Sequence, residues 1–214
     1  MKKIISFSLY GSDCKYTYGA VCNAKLSKLI YPDWVCRFYC GYSVPENIIT
    51  ELRNHENCEV IMMEEKNEFS YMMWRFLPID ESDVDVMIVR DADSRLSHRE
   101  KVSVDLFMNS DFLLHSIRDE GNHTDIMGGM WGIKKNDRID KMIDLCKEWI
   151  GGMGYNSDQW FLREKIVPKF LDSYMIHCST YIKNFPIEPP SNRFYVGMVF
   201  PGDNFGRPHD FIFY

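Results

Sequence analysis

Two carboxylates one residue apart, Asp91 and Asp93, end an apolar run that starts at Val84, and Arg90 and Arg95 flank them in the stretch IVRDADSRLS. Side chains alternate along extended chain, so residues two apart project the same way, and the small Ala92 between them lets a ligand approach. Carboxylates this close repel each other unless a cation neutralises them. Hard oxygen donors suit Mg2+ or Mn2+, and such ions in turn bind diphosphates. The chemistry implied is a divalent cation holding a phosphate-bearing ligand. The plainer alternative is a solvated turn in which either aspartate caps the next segment. A third ligand has to come from elsewhere. His209, in Gly206-Arg207-Pro208-His209-Asp210, is the candidate, with His98, His115, His123 and His177 competing. His115 and His177 lie in strand-like runs, where a hydrogen-bonded core histidine accounts for them equally well.

Two further stretches carry chemical potential. In IMGGMWG, Gly128 and Gly129 permit close backbone approach, and Met130 with Trp131 offers a flat apolar wall for a sugar ring or nucleobase. A bulged strand with a buried tryptophan is the alternative. In Asn156-Ser157-Asp158-Gln159, an acid and an amide follow a glycine-rich loop at an expected helix start. Asp158 either favours the helix N-terminus, or forms with Gln159 a pair that hydrogen-bonds sugar hydroxyls and sets a carboxylate near the reacting carbon.

The elements that position these residues read as alternating strands and helices. Strands are expected at 3–10, 34–41, 58–63 and 84–89, with helices at 16–30, from Ser43 to about His55, and at 69–79. Ser43 to Glu46 and Ser97 to Glu100 both have capping-box spacing, the hydroxyl bonding the third amide while the glutamate reaches back. The second should open a helix to about Asn109. A strand is expected at 111–117, a helix at 136–150 closed by Gly151-Gly152, and another helix from about Ser157. The last 35 residues read as an irregular tail wrapping the sheet edge. Strand–helix alternation with near-continuous apolar strands favours a mainly parallel sheet covered on both faces. In such sheets ligands bind beyond the carboxyl ends of the strands, which is where Asp91 and Asp93 fall. The class expected is a Rossmann-like α/β fold over residues 1–214 as one domain.

Bulk composition narrows the choice. The chain has 214 residues and a formal net charge of −6, with no run of more than two adjacent basic residues. That argues against nucleic-acid binding, which calls for a basic stripe. Hydrophobic residues make up 45%, enough for a sizeable core. Seven cysteines, an odd number without a C-x-x-C pair, read as reduced thiols of a cytosolic-type compartment, host cytoplasm if the protein is viral. The opening MKKIISFSLY is a first strand rather than a signal peptide, because Ser6 and Ser8 interrupt it and no small-residue cleavage site follows. No apolar run approaches the ~20 residues of a membrane span. Neither G-x-G-x-x-G nor G-x-x-x-x-G-K-[ST] occurs, so dinucleotide and P-loop readings lack their signatures.

Taken in order, these residues resemble a nucleotide-sugar glycosyltransferase with the A-type fold, in which D-x-D carboxylates bind Mn2+ bridging the donor diphosphate. Asp91 and Asp93 match that motif. Asp158-Gln159 and His209 match the Asp-Gln pair and the late metal-binding histidine of the retaining branch that includes glycogenin and lipopolysaccharide galactosyltransferases. WRFLPIDE, VRDADSR, Arg118-Asp119 and GGMWG are similar to small bacterial and viral glycosyltransferase domains, and the resemblance covers essentially the whole chain. It implies transfer of a hexose or deoxyhexose from a UDP-linked donor to a glycan or glycoprotein acceptor. It also implies Ser8, Leu9 and Tyr10 around the base and ribose, Asp91 within reach of the ribose, Arg75 and Arg90 on phosphate or on the acidic loop, and Asp158 as nucleophile or ion-pair stabiliser. The histidine segment reads GRPHDF rather than H-x-G-x-x-K, so no lysine is matched for the diphosphate, and Arg207 or Arg90 would have to substitute. Three other classes are weighed beside this one. They are a D-x-D phosphohydrolase, disfavoured because Ser94 stands where Thr or Val is usual, a nucleotidyltransferase, and an inactive sugar-binding module.

Overall fold

The hydrophobic runs assemble into one seven-stranded sheet, and the computed structural model describes residues 1–66, 69–152, 154–188 and 194–200. In chain order the strands are β1 Lys2–Leu9, β2 Val35–Gly41, β3 Cys58–Met63, β4 Val84–Arg90, β5 Leu114–Arg118, β6 Met130–Lys134 and β7 Tyr174–Cys178. The spatial order is β3-β2-β1-β4-β6-β5-β7. β1 pairs in parallel with β2 and β4, and β2 with β3, as expected for runs buried on both faces. β6 is the exception, antiparallel to both β4 and β5. Its direction has a functional consequence: the chain enters β6 at Met130, opposite Arg90, so the residues just before it reach the edge where the parallel strands end.

Two cores sandwich the sheet. On one face Ile5, Phe7, Phe38 and Ile88 pack with Val21 and Ala24 of α1 (Cys14–Ile30) and with Val104 and Phe107 of α3 (His98–Met108). On the other, Ile4, Met87, Val89 and Trp131 pack with Met73, Trp74 and Phe76 of the segment Tyr71–Asp80. That segment is a 3-10 helix rather than an α-helix and contains Pro78, whose missing N–H is incompatible with a regular α-helical interior. α1 starts at Asp13, whose carboxylate accepts the Lys15 amide at 2.9 Å. None of the seven cysteines is paired, and four of them are buried. No helix of the described residues is long and apolar enough to cross a membrane.

Three local expectations are corrected. Ser43 does not cap α2 (Glu46–Arg53): its hydroxyl donates to Glu65 at 2.8 Å and accepts the Gly11 amide at 2.6 Å, leaving Pro45 at the cap without a side-chain bond. At the second site Ser97 does accept the Glu100 amide, at 3.3 Å, but Glu100 turns into the core toward Arg90 and Tyr31 instead of reaching back. The helix expected over 136–150 shortens to α4, Met142–Lys147. Asn136 accepts the Arg138 amide at 2.9 Å in a local turn, and Asp80 accepts the Met142 and Ile143 amides at 2.6 and 2.9 Å, so the helix begins only there. α5 (Ser157–Phe161) starts where expected and continues through a wider turn over Leu162–Ile166. The described part of the C-terminal segment has no helix or strand. It first follows the sheet edge, where Asn184 bonds the Ile176 carbonyl and the Cys178 backbone of the edge strand β7, and then returns across the carboxyl ends of the strands, with the Phe200 amide bonded to the Asp93 carbonyl at 2.9 Å.

Candidate functional site

The acidic loop is fixed before its carboxylates are used. Asn23 of α1 donates to the Ser94 carbonyl at 2.9 Å and to the Ala92 carbonyl at 3.5 Å, and accepts the Leu96 amide at 3.0 Å. It is buried, so these three bonds satisfy a side chain that would otherwise be costly there. Behind the loop, Arg90 is 2% exposed and donates to Glu100 at 3.0 Å and to the Val89 and Trp131 carbonyls. Glu100 also accepts the Tyr31 hydroxyl at 3.0 Å. Burial raises the Glu100 pKa against the pull of Arg90.

The loop faces a cleft of about 270 Å³ at the carboxyl edge of the sheet. One wall is Ser8, Leu9 and Tyr10 from the end of β1, with Tyr16 and Met72. The floor is Asp91, Ala92 and Asp93. The opposite side is Met127, Gly128 and Gly129 before β6, with Asn156, Asp158 and Gln159 at the start of α5. Arg75 joins these sides. Its guanidinium bonds the Asp91 carboxylate, the Arg90 carbonyl at 3.1 Å and Asp158 Oδ2 at 2.8 Å, and its amide donates to Ser8 Oγ at 3.0 Å. Burial works to lower the Arg75 pKa, and Asp91 and Asp158 more than offset it, so the net movement is upward and the guanidinium stays charged. Burial, and then the neighbouring Asp91 charge, raise the Asp93 pKa, with Lys15 opposing them from 3.3 Å.

The two glycines exist for space. A Cβ on Gly128 would overlap the Asp158 carboxylate, and one on Gly129 the Asp91 carboxylate. Asn156 holds a left-handed turn at φ 68, and its side-chain oxygen accepts Gln159 Nε2 at 3.1 Å, which orients the amide of the Asp-Gln pair.

Of the residues singled out in the sequence, Ser8, Leu9, Tyr10, Arg75, Asp91, Asp93, Gly128, Gly129, Asp158 and Gln159 meet in this one cleft. Two do not. Arg90, one residue before Asp91, points to the opposite face by strand alternation and is engaged with Glu100, so it offers nothing to a phosphate. Trp131 is 0% exposed and packs edge-on against Phe76 at 5.0 Å; it is core, not a wall of the cleft. His209 and Arg207 lie outside the described residues. Among the described residues no group of three or more histidines, cysteines or acids is placed to hold a metal. His115 and His177 bond each other at 2.9 Å between β5 and β7, away from the cleft. Sequence reasoning missed Lys15, Tyr16, Asn23, Tyr155 and Val199. Lys15, Tyr16 and Asn23 of α1 reach the acidic loop because strand order puts β1 beside β4, and Tyr155 and Val199 arrive from loops outside that order; no local pattern announces either.

The fold is the Rossmann-like α/β architecture called glycosyltransferase A-type, and a carboxylate-lined cleft lies at the carboxyl edge of its sheet. The solved structures it resembles include a galactosyltransferase, LgtC, in complex with donor and acceptor sugar analogues: TM-score 0.51, 15% identity, 81% of this chain and 73% of that one. TarS 1-349 of S. aureus gives 0.56, 12%, 82% and 58%, so the chain spans little more than half of that structure. The 4-diphosphocytidyl-2C-methyl-D-erythritol synthase of Anaerococcus prevotii gives 0.53, 8%, 92% and 91%. At these identities the likeness concerns the fold. No protein-family model matches the chain, and no curated protein matches it by sequence.

Proposed function

We propose that the chain is a divalent-cation-dependent glycosyltransferase that moves a hexose or deoxyhexose from a nucleoside diphosphate, UDP first among the candidates, to a hydroxyl of a glycan or glycoprotein, with retention of configuration. The observation that carries this reading is the gathering of Asp91, Asp93 and Asp158-Gln159 in one cleft around Arg75. The donor set fits Mn2+ or Mg2+: two hard carboxylates face the same cavity, and burial together with the neighbouring Asp91 charge raises the Asp93 pKa, the repulsion a cation between them would relieve. Asp91 and Asp93 would hold the ion, with His209 as the expected third ligand. When bound there, the ion supplies charge stabilisation to the departing diphosphate.

The chain's own groups account for the rest. Ser8, Leu9 and Tyr10 form the wall assigned to base and ribose. Transfer breaks the bond from the anomeric carbon to the diphosphate oxygen and makes one to the acceptor oxygen on the same face, the acceptor proton leaving with the diphosphate. Asp158 Oδ2 accepts from Arg75 and Oδ1 from the Gln159 amide at 2.9 Å. With both oxygens engaged, Asp158 is better suited to stabilising positive charge on the sugar than to attacking it. Calorimetric titration of UDP, GDP and their sugars, in Mn2+ and in EDTA, tests the reading. Metal-dependent binding of one nucleotide is expected, and its sugar conjugates then identify the donor by slow hydrolysis. Absence of nucleotide binding in Mn2+ would overturn the proposal.

A further inference from the structure

Among the described residues the cleft is short of positive charge for a diphosphate. Among the described residues Arg75 is the basic side chain lining it, and Arg75 already bridges Asp91 and Asp158. Arg90 is turned to Glu100, and Arg95 donates to the Ser94 carbonyl at 2.8 Å and lies over the Phe200 ring. The N-terminal end of α1 is closed by its own Asp13 cap. Lys15 remains. It stands in the first turn of α1, just past β1, with its ammonium 3.3 Å from Asp93 Oδ2 and 4.2 Å from the centre of the Tyr16 ring. Asp93 and Tyr16 both line the cleft, and the Lys15 side chain is 29% exposed, so the ammonium lies beside that lining with solvent access.

We infer that Lys15 is a diphosphate-binding residue of this site, held in reserve on Asp93 until a divalent cation takes that carboxylate over. This rests on the function proposed above. The physical reason is charge exchange. Lys15 neutralises Asp93 in the metal-free cleft. Once a divalent ion occupies the carboxylates, the ammonium loses its anionic partner at the place where phosphate oxygens arrive. A lysine suits the exchange, because its flexible four-carbon stem carries a point charge with three rotatable donors.

The test is calorimetry of UDP and of uridine in Mn2+ on the wild type, Lys15→Met and Lys15→Arg, with circular dichroism and spin-resonance titration of Mn2+ alone on each. A charge-assisted contact predicts that Lys15→Met binds UDP about ten- to a hundredfold more weakly. Uridine binding should be unchanged, Lys15→Arg should keep most of the UDP affinity, and Mn2+ alone should bind Lys15→Met at least as tightly as wild type. Equal UDP affinity in Lys15→Met and wild type would overturn the inference and leave the glycosyltransferase reading intact. Equal loss of UDP and uridine would overturn it as well, by locating the effect outside the diphosphate. A wild type that binds no nucleoside diphosphate removes both.

Discussion

Arg75 is the residue on which the two acidic halves of the cleft depend. It is buried, bonded to Asp91 on one side and Asp158 on the other, and its own amide is tied to Ser8. Asp158 therefore has a fixed place whether or not a ligand is present, which separates its role in turnover from any role in donor affinity. Asp158→Asn keeps the shape and removes the charge that would face a cationic sugar. Turnover should fall by about a hundredfold or more, the scale of a lost electrostatic contact in a transition state, while UDP affinity stays near wild type. Steady-state rates beside calorimetry decide it, and equal losses in both would sink the assignment. The glycines allow a complementary test. Gly129→Ala drives a methyl into the Asp91 carboxylate and should weaken metal-dependent nucleotide binding. Gly128→Ala presses on Asp158 and should lower turnover more than binding. The same effect from both substitutions would contradict this division of labour.

At the scale of elements, the site is a problem of bringing loops after β1 and β4 together with the chain before β6, and Asn23 is the clamp. Asn23→Ala leaves the Ser94 carbonyl and the Leu96 amide without their partner. It should cost about 1–3 kcal/mol in urea unfolding and weaken Mn2+-dependent nucleotide binding, although Asn23 itself lies outside the cleft lining. The sequence made the alternation of β1 to β4 with helices legible because strands buried on both faces are written as near-continuous apolar runs. It made Asp91 and Asp93 legible because polar residues at the end of such a run need a reason. The direction of β6 was not legible: a five-residue run carries no mark of parallel or antiparallel pairing, so Trp131 looked as available to a ligand as Gly129. Nor was the true start of α4, which depends on Asp80 arriving from a distant segment. The β5–β7 pair carries a separate prediction. Burial lowers the pKa of both His115 and His177, and the charges of His177, Arg90 and Lys134 lower that of His115 further. The unfolded chain therefore binds more protons than the folded one below the ordinary histidine pKa of about 6.5. The stability from neutral, paired histidines is complete above that pH and is lost as pH falls through and below it. The melting temperature should drop between neutral pH and about pH 5, and the drop should shrink in a His115→Phe, His177→Leu double variant. An unchanged slope in that variant would place the acid sensitivity elsewhere.

Over the whole molecule, the described C-terminal segment acts as a strap joining the β5–β7 side to the acidic loop. Its anchor is the ion pair of Arg99 on α3 with Asp119 after β5, at 2.7 and 2.6 Å, both side chains nearly inaccessible. Asp119 also accepts the Val196 amide at 2.9 Å, and Arg99 bonds the Ile187 carbonyl and lies 3.8 Å from the Phe185 ring centre. From that anchor the strap runs to Phe200, whose amide meets the Asp93 carbonyl, and places Val199 in the cleft lining. This arrangement predicts that stability and nucleotide binding are coupled through one buried pair. Asp119→Ala strands the Arg99 charge inside the protein, which costs about 3–5 kcal/mol, and it also releases Val196. Combining it with Arg99→Met removes the stranded charge, so most of the stability should return, because burying a matched ion pair gains little over apolar side chains of similar volume. The strap should remain loose in both variants, since the Val196 amide has lost its acceptor in each. Urea unfolding reads the first effect, and limited proteolysis together with nucleotide calorimetry reads the second. If the double variant regains stability yet is cleaved faster in the strap and binds UDP more weakly than wild type, the pair positions the strap as well as stabilising the fold. If affinity returns together with stability, Val199 and Phe200 reach the acidic loop without help from Asp119, and the coupling is absent.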